Sequence, residues 1–207
     1  MQLPPHKVLQ KKDIKEYILP TFLKDGRFGN PFKLYKKNFL EKYDIKFPED
    51  RSLGEDFYFN LEVFTYCQNV YYINKSYYHY RQSADGKSLM NKYRPELYDL
   101  YLNNSPKEGF FKKWGMYSDE VKYELSKRKC YVAANGCIQN EFKNDCKNSF
   151  REKINVISNV VNHQDVQESA SLLLKNEKNK KKRVYLNMLK NKNVIGLFAM
   201  GKLLSYR

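Results

Sequence analysis

The sequence predicts an α/β chain: a partial layer with a small mixed sheet over residues 1–90, then an all-helical region over residues 91–207. Three observations carry this. Helix-like and strand-like segments alternate up to about residue 90. The strand signals there are confined to a short Tyr-, Val- and Ile-rich stretch, Val70 to Arg81. Beyond about residue 95 only helical periodicity remains.

Asp13 to Lys24 reads as a helix that Pro20 kinks or ends, because proline offers no N–H to the ladder. Gly26, Gly29 and Pro31 mark a loop. Lys33 to Tyr43 reads as an amphipathic helix with Leu34 and Tyr35 facing inward alongside Phe39. Ile45 to Leu53 connects, broken at Pro48, so the acidic pair Glu49–Asp50 is expected on a loop. Gly54 to Cys67 is the clearest helix, with Phe57, Leu61 and Phe64 on one face. The break at Asn74–Lys75 suggests a tight hairpin between Val70–Ile73 and Lys75–Arg81.

In the second region Glu120 to Lys147 reads as one long helix, favoured by Ala133 and Ala134 and weakened by Gly136. Cys130 and Cys137 lie seven apart and hence on one face. Two or three further helices follow. The last, about Lys182 to Leu204, sets Val184, Leu186, Leu189, Val194, Ile195 and Phe198 against lysines.

The 207 residues include 42% hydrophobic and 15% aromatic side chains, enough for a core, which argues against wholesale disorder. No apolar run approaches the ~20 residues that span a bilayer. The first residues have no apolar core of a signal peptide. The four cysteines show no CxxC pair or ligand-like spacing and read as reduced thiols of a cytoplasmic protein. The net charge of +15 is uneven: residues 1–105 carry +4, residues 106–170 carry +2 and residues 171–207 carry +9. A polyanion-binding surface is therefore expected at the C-terminal end. Lys178 to Arg183 (KNKKKR) and the following helix, about residues 178–207, suit the anionic inner face of a cell membrane, or form a solvated lysine face on a packed helix. Nucleic acid ranks lower as a partner, since the charge is localised and no nucleic-acid fold signature is present.

Gly54-Glu55-Asp56 has two readings. Ser52-x-x-Glu55 before an apolar run matches a capping box, with acidic residues in a first helical turn as the helix dipole favours. The same dipole keeps a carboxylate ionised, which suits a general base acting on a sugar hydroxyl.

Four segments occur in order: K-L-Y-K-K-N-F-L (33–40), I-K-F-P-E-D (45–50), G-E-D-F-Y-F-N-L (54–61), and a Tyr-rich hairpin ending Y-H-Y-R (78–81) with Ser88 nearby. Together they resemble family 2 glycosyltransferases, in particular bacterial enzymes that build capsular and other surface polysaccharides. The resemblance covers roughly residues 10–90, with a fainter likeness in the helical tail. It implies a GT-A fold and inverting transfer of a sugar from a nucleotide-sugar donor to a glycan acceptor, lipid-linked where synthesis occurs at a membrane. It implies Asp56 as catalytic base, with Glu55 helping to place the acceptor and Lys33 facing the active-site cleft. Arg81 and Ser88 would close over the donor diphosphate, for which a guanidinium is well suited. A divalent metal, Mn or Mg, is expected for the complete enzyme. His79 is a candidate ligand, but it lacks companions and reads better as a hairpin side chain among tyrosines.

The chain departs from the family in one respect. It has no Asp-x-Asp, since no two of its aspartates are two apart, and no Gly-rich phosphate loop. It reads as the C-terminal, acceptor-side portion of such an enzyme, without the nucleotide-binding half and incomplete by itself. A donor-half polypeptide is the implied partner. The alternatives are a non-catalytic remnant or partner-binding module, and a peripheral membrane or polyanion-binding protein. Absent central strands would leave an open sheet edge and apolar surface, so self-association, a homodimer included, is expected.

Overall fold

The computed structural model describes residues 6–24, 27–30, 32–51, 54–75, 77–79, 92–103 and 107–205. The chain is mostly helical, with one small two-stranded antiparallel sheet among the described residues. It divides into two compact units, Met1–Arg81 with Pro106–Val121, and Gln82–Ser105 with Lys122–Arg207.

In the first unit β1 (Val8–Gln10) pairs antiparallel with β2 (Asn69–Tyr71), with Leu9 opposite Val70. This corrects the expected mixed sheet and its hairpin. Val70 does lie on a strand, but its partner is the N-terminal strand. Residues 75 and 77–79 carry no strand, and Ser76, Tyr80 and Arg81 lie outside the described residues. A two-residue hairpin at Asn74–Lys75 would need positive φ at both turn positions in type I′, which Lys75 disfavours, or a glycine-like first position in type II′, where Asn74 stands. Leu9, 1% exposed, supplies the buried apolar contact that holds β1 in place.

After β1 come α1 (Lys11–Asp13) and a π-helical turn, Ile14–Ile18. The Leu19 N–H bonds the Ile14 carbonyl at 3.0 Å, Pro20 contributes no N–H, and α2 (Thr21–Lys24) restarts the helix. The proline therefore breaks the segment where the sequence places the break.

The stretch 32–36 has no regular secondary structure, with Lys36 extended as the N-cap, and α3 spans only Lys37–Lys42. Here the expected helix from Lys33 is corrected. Leu34 is 99% exposed, whereas Tyr35 and Phe39 pack in a small cluster with Ile45, Phe59 and Val63. Exposure alternates from Phe32 to Lys36, so Leu34 and Tyr35 do not share a face.

The longest helix of this unit, α4 (Glu55–Tyr66), buries Phe59, Leu61, Val63 and Phe64, with Phe57 half-buried. Gly54 rather than Ser52 is its N-cap, with φ of +72°, a conformation suited to glycine. Ser52 lies outside the described residues. Phe47 stacks on Phe59 at 4.1 Å, folding the I-K-F-P-E-D segment back onto α4 and leaving Glu49 and Asp50 exposed in a turn. Through Trp114, whose indole donates to the Thr65 hydroxyl at 2.9 Å, the segment after α5 (Lys107–Lys113) is tied to α4.

The second unit has helices joined by turns and short irregular segments, and no strand among its described residues. The expected long helix runs from α6 (Asp119–Lys127) through a π-helical segment, Arg128–Ala134, into α7 (Asn135–Asn140). It stops at Asn140, short of the expected Lys147. The Asn140 side-chain amide donates to the Arg94 carbonyl and its oxygen accepts the Arg94 N–H, spending the residue on a neighbouring segment. Cys130 and Cys137 are both buried in one core with Ile157, Val161, Val166, Leu173, Leu186, Leu189 and Leu197. Helices α8 (Phe150–Asn162) and α9 (Gln164–Leu174) complete that core, and Ser149 with Glu152 forms a capping box on α8.

The last expected helix is two: α10 (Lys180–Lys190) and α11 (Val194–Leu204). They are separated by Lys192, whose φ is +52°, and by Asn193, whose side chain accepts the Gly196 N–H at 2.9 Å as an N-cap. Resetting the helix this way turns Ile195, 63% exposed, outward, and Val184 at 54% is also outside the core. Leu186 and Leu189 are buried as expected, and Val194 and Phe198 pack against the same core.

Candidate active site

Asp56 occupies the first turn of α4, and Lys33 lies on the irregular stretch ahead of α3. They are joined by a buried amide, Asn60, one turn along α4 and 1% exposed. Its Nδ2 donates to the carbonyl oxygens of Asp56 at 2.7 Å, Asn30 at 3.3 Å and Gly29 at 3.5 Å. Its Oδ1 accepts the Tyr35 hydroxyl at 2.8 Å. One side chain thus fastens three segments, and a buried amide so satisfied is a rigid anchor.

The 3-10 turn Arg27–Gly29 can approach α4 only because residue 29 is glycine. A Cβ there would run into the Phe57 ring. That approach brings the Asn30 carbonyl within 2.5 Å of the Lys33 Nζ, which also bonds Asn30 Oδ1 at 3.2 Å and lies 5.8 Å from the centre of the Phe28 ring.

The electrostatics follow from this half-buried setting. Burial pulls the Lys33 ammonium down from 10.5 to about 8, with the Asp56 charge opposing the shift. Burial pushes the Asp56 carboxyl above its usual range, reinforced by Glu55 and opposed by the Phe57 N–H, which donates to Oδ1 at 2.7 Å, and by Lys33. The helix N-terminus alone suggests the opposite direction; removal from water is the larger effect here. A carboxylate with a raised pKa is a stronger base. Burial also lifts the Tyr35 phenol to about 12, which leaves it a donor at neutral pH.

Of the residues singled out in the sequence, Asp56, Glu55 and Lys33 are gathered here, Glu55 exposed beside Asp56. Arg81 and Ser88 lie outside the described residues. His79 is exposed, and among the described residues no three of His, Cys, Asp and Glu are grouped so as to hold a metal ion. Sequence reasoning missed Asn30, Tyr35 and Asn60 as members of the site. Asn60 carried a legible signal: an amide four residues after Asp56, on the face of α4 that is otherwise apolar. Nothing in the sequence marks Asn30 in advance, because its part is played largely by a backbone carbonyl.

Comparison with protein-family models, curated proteins and solved structures finds no match for this chain.

Proposed function

We propose that this chain is the acceptor-side portion of an inverting glycosyltransferase that extends a surface polysaccharide. The observation that carries the reading is the gathering of Asp56 and Lys33 about the Asn60 anchor: a carboxyl of raised pKa at the start of a helix, under the influence of a half-buried ammonium that bonds Asn30. The ordered motifs of residues 33–88 supply the rest. Asp56 takes the proton of an acceptor hydroxyl. The freed oxygen bonds to the anomeric carbon of the donor sugar from the face opposite the leaving group. The bond from that carbon to the diphosphate oxygen breaks, and its electron pair leaves with the diphosphate. Lys33, bonded to Asn30, favours the ionised form of the carboxylate through its charge, and Glu55 orients the acceptor. By the resemblance, Arg81 and Ser88 contact the diphosphate. No step is assigned to a metal.

With no Asp-x-Asp in the 207 residues, the donor is to be held by another segment or another polypeptide. The same lack favours a second reading, in which the scaffold persists as a partner-binding module without turnover.

The test uses membranes from source cells deleted for this gene, a panel of nucleotide-sugars and Mn²⁺. Added wild-type chain should restore transfer to endogenous acceptor, and Asp56→Asn should not. Restoration by both proteins removes Asp56 as base. Restoration by neither, with the chain bound to its partner, supports the second reading.

A further inference from the structure

We infer that the outer face of α11, with the lysines of α10, is a contact surface for an anionic lipid membrane. The inference does not rest on the proposed glycosyl transfer. Helix α11 is almost wholly apolar, yet of its residues only Leu197 and Gly201 are fully buried. Ile195, Ala199, Lys202 and Leu203 form an exposed stripe spaced i, i+4, i+7 and i+8, with Ile195 and Leu203 at 63% and 65% exposure. Water penalises such a stripe, whereas the boundary between headgroups and acyl chains accepts it.

The charge along the segment that carries it is strongly positive. From residue 178 onward there are nine basic side chains and no acidic one. Lys180, Lys181, Lys190, Lys192 and Lys202 are all exposed. Lys180 and Lys181 stand in the first turn of α10, where no acidic residue accompanies them and the helix dipole disfavours cations. That placement costs helix stability; Glu177, just before the helix, is engaged by the Asn179 N–H and the Tyr131 hydroxyl, and an external negative charge would offset the cost that remains. Arg183 is otherwise engaged, donating to the Leu174 and Glu177 carbonyls, and is not assigned to the surface. No helix among the described residues is long and apolar enough to cross a membrane, so this contact lies in the interface plane. A nucleic acid would answer the lysines but not the apolar stripe, and an anionic bilayer answers both.

The experiment is co-sedimentation of the full chain with phosphatidylcholine vesicles and with phosphatidylcholine/phosphatidylglycerol vesicles. The expected result is binding to the anionic vesicles alone, weakened by salt of about 0.5 M. Lys180→Gln with Lys181→Gln, and separately Ile195→Asp with Leu203→Asp, should each weaken partitioning at least about tenfold. Circular dichroism of each pair should match the wild type, because all four positions are exposed. Equal binding to both vesicle types, no binding to either, or wild-type binding by a folded variant pair would overturn the inference. Binding of a homopolymeric RNA that is indifferent to the Ile195/Leu203 pair, without vesicle binding, would also overturn it.

Discussion

Asn60 Nδ2 lies 2.7 Å from the carbonyl oxygen of Asp56, one helical turn back, so the backbone that carries the proposed base is held by a side chain as well as by the helix ladder. The same amide receives the Tyr35 hydroxyl and reaches the Asn30 carbonyl, which in turn accepts the Lys33 ammonium. Base and cation are therefore positioned through one buried group. Asn60→Leu fills the space but leaves the Tyr35 hydroxyl without its acceptor. It should lower stability by about 1–3 kcal/mol in urea unfolding. A loss within error would show that Asn60 does not hold the site together.

The Lys33 titration should report Asp56 directly. With ¹³C-methylated lysines, Lys33 should titrate near 8 in the folded chain. In Asp56→Asn the midpoint should fall further, because the carboxylate is what favours the ammonium. A midpoint at the ordinary value, or one unmoved by Asp56→Asn, would contradict the arrangement.

The same shift predicts how stability changes with pH. Below about 8 Lys33 is protonated in both states, and its desolvation cost is fully present. Between about 8 and 10.5 the unfolded chain binds more protons at this lysine than the folded chain, so its contribution makes stability rise with pH and then level off. Lys33→Met removes that contribution. The difference in urea midpoint between wild type and Lys33→Met should shift in favour of the wild type across this window. A difference independent of pH would mean that Lys33 is not desolvated.

Gly201→Ala sets two effects against each other. Alanine in a helix interior gains about 1 kcal/mol over glycine. Here the added Cβ would run into the Phe142 ring, whose centre lies 5.1 Å from that of Phe198, and overpacking costs about 1–3 kcal/mol. The substitution should destabilise the chain in thermal or urea unfolding. A stabilised variant would show that Phe142 can swing aside.

How much was legible in the sequence depends on range. The helix of Glu55–Tyr66, the break at Pro20 and the helical second region follow from local periodicity and proline chemistry, and the structure has all three. The partner of β2 was not legible. Strand pairing is decided by contacts across the chain, and Val8–Gln10 is too short to show alternation. Leu34 was misplaced because helix and strand periods cannot be told apart over the few residues from Lys33 to Lys36. The split between α10 and α11 turned on Lys192 adopting positive φ, which no propensity for lysine suggests. At the site, Asp56 and Lys33 were marked by motif order, while the Asn60 anchor depends on burial, which appears only when the stretch ahead of α3, the Gly29 turn and α4 come together.

The most direct test of the central claim is to place Asp56→Asn at the chromosomal locus in source cells and measure the surface polysaccharide, with the protein's level checked in the same cells. The substitution removes a proton acceptor and keeps the side chain's size, so the fold should persist. As general bases contribute roughly 10²–10⁴-fold, the polysaccharide should be lost or sharply shortened at unchanged protein level. Polysaccharide of wild-type amount and length in those cells would contradict a role for Asp56 as the base of glycosyl transfer.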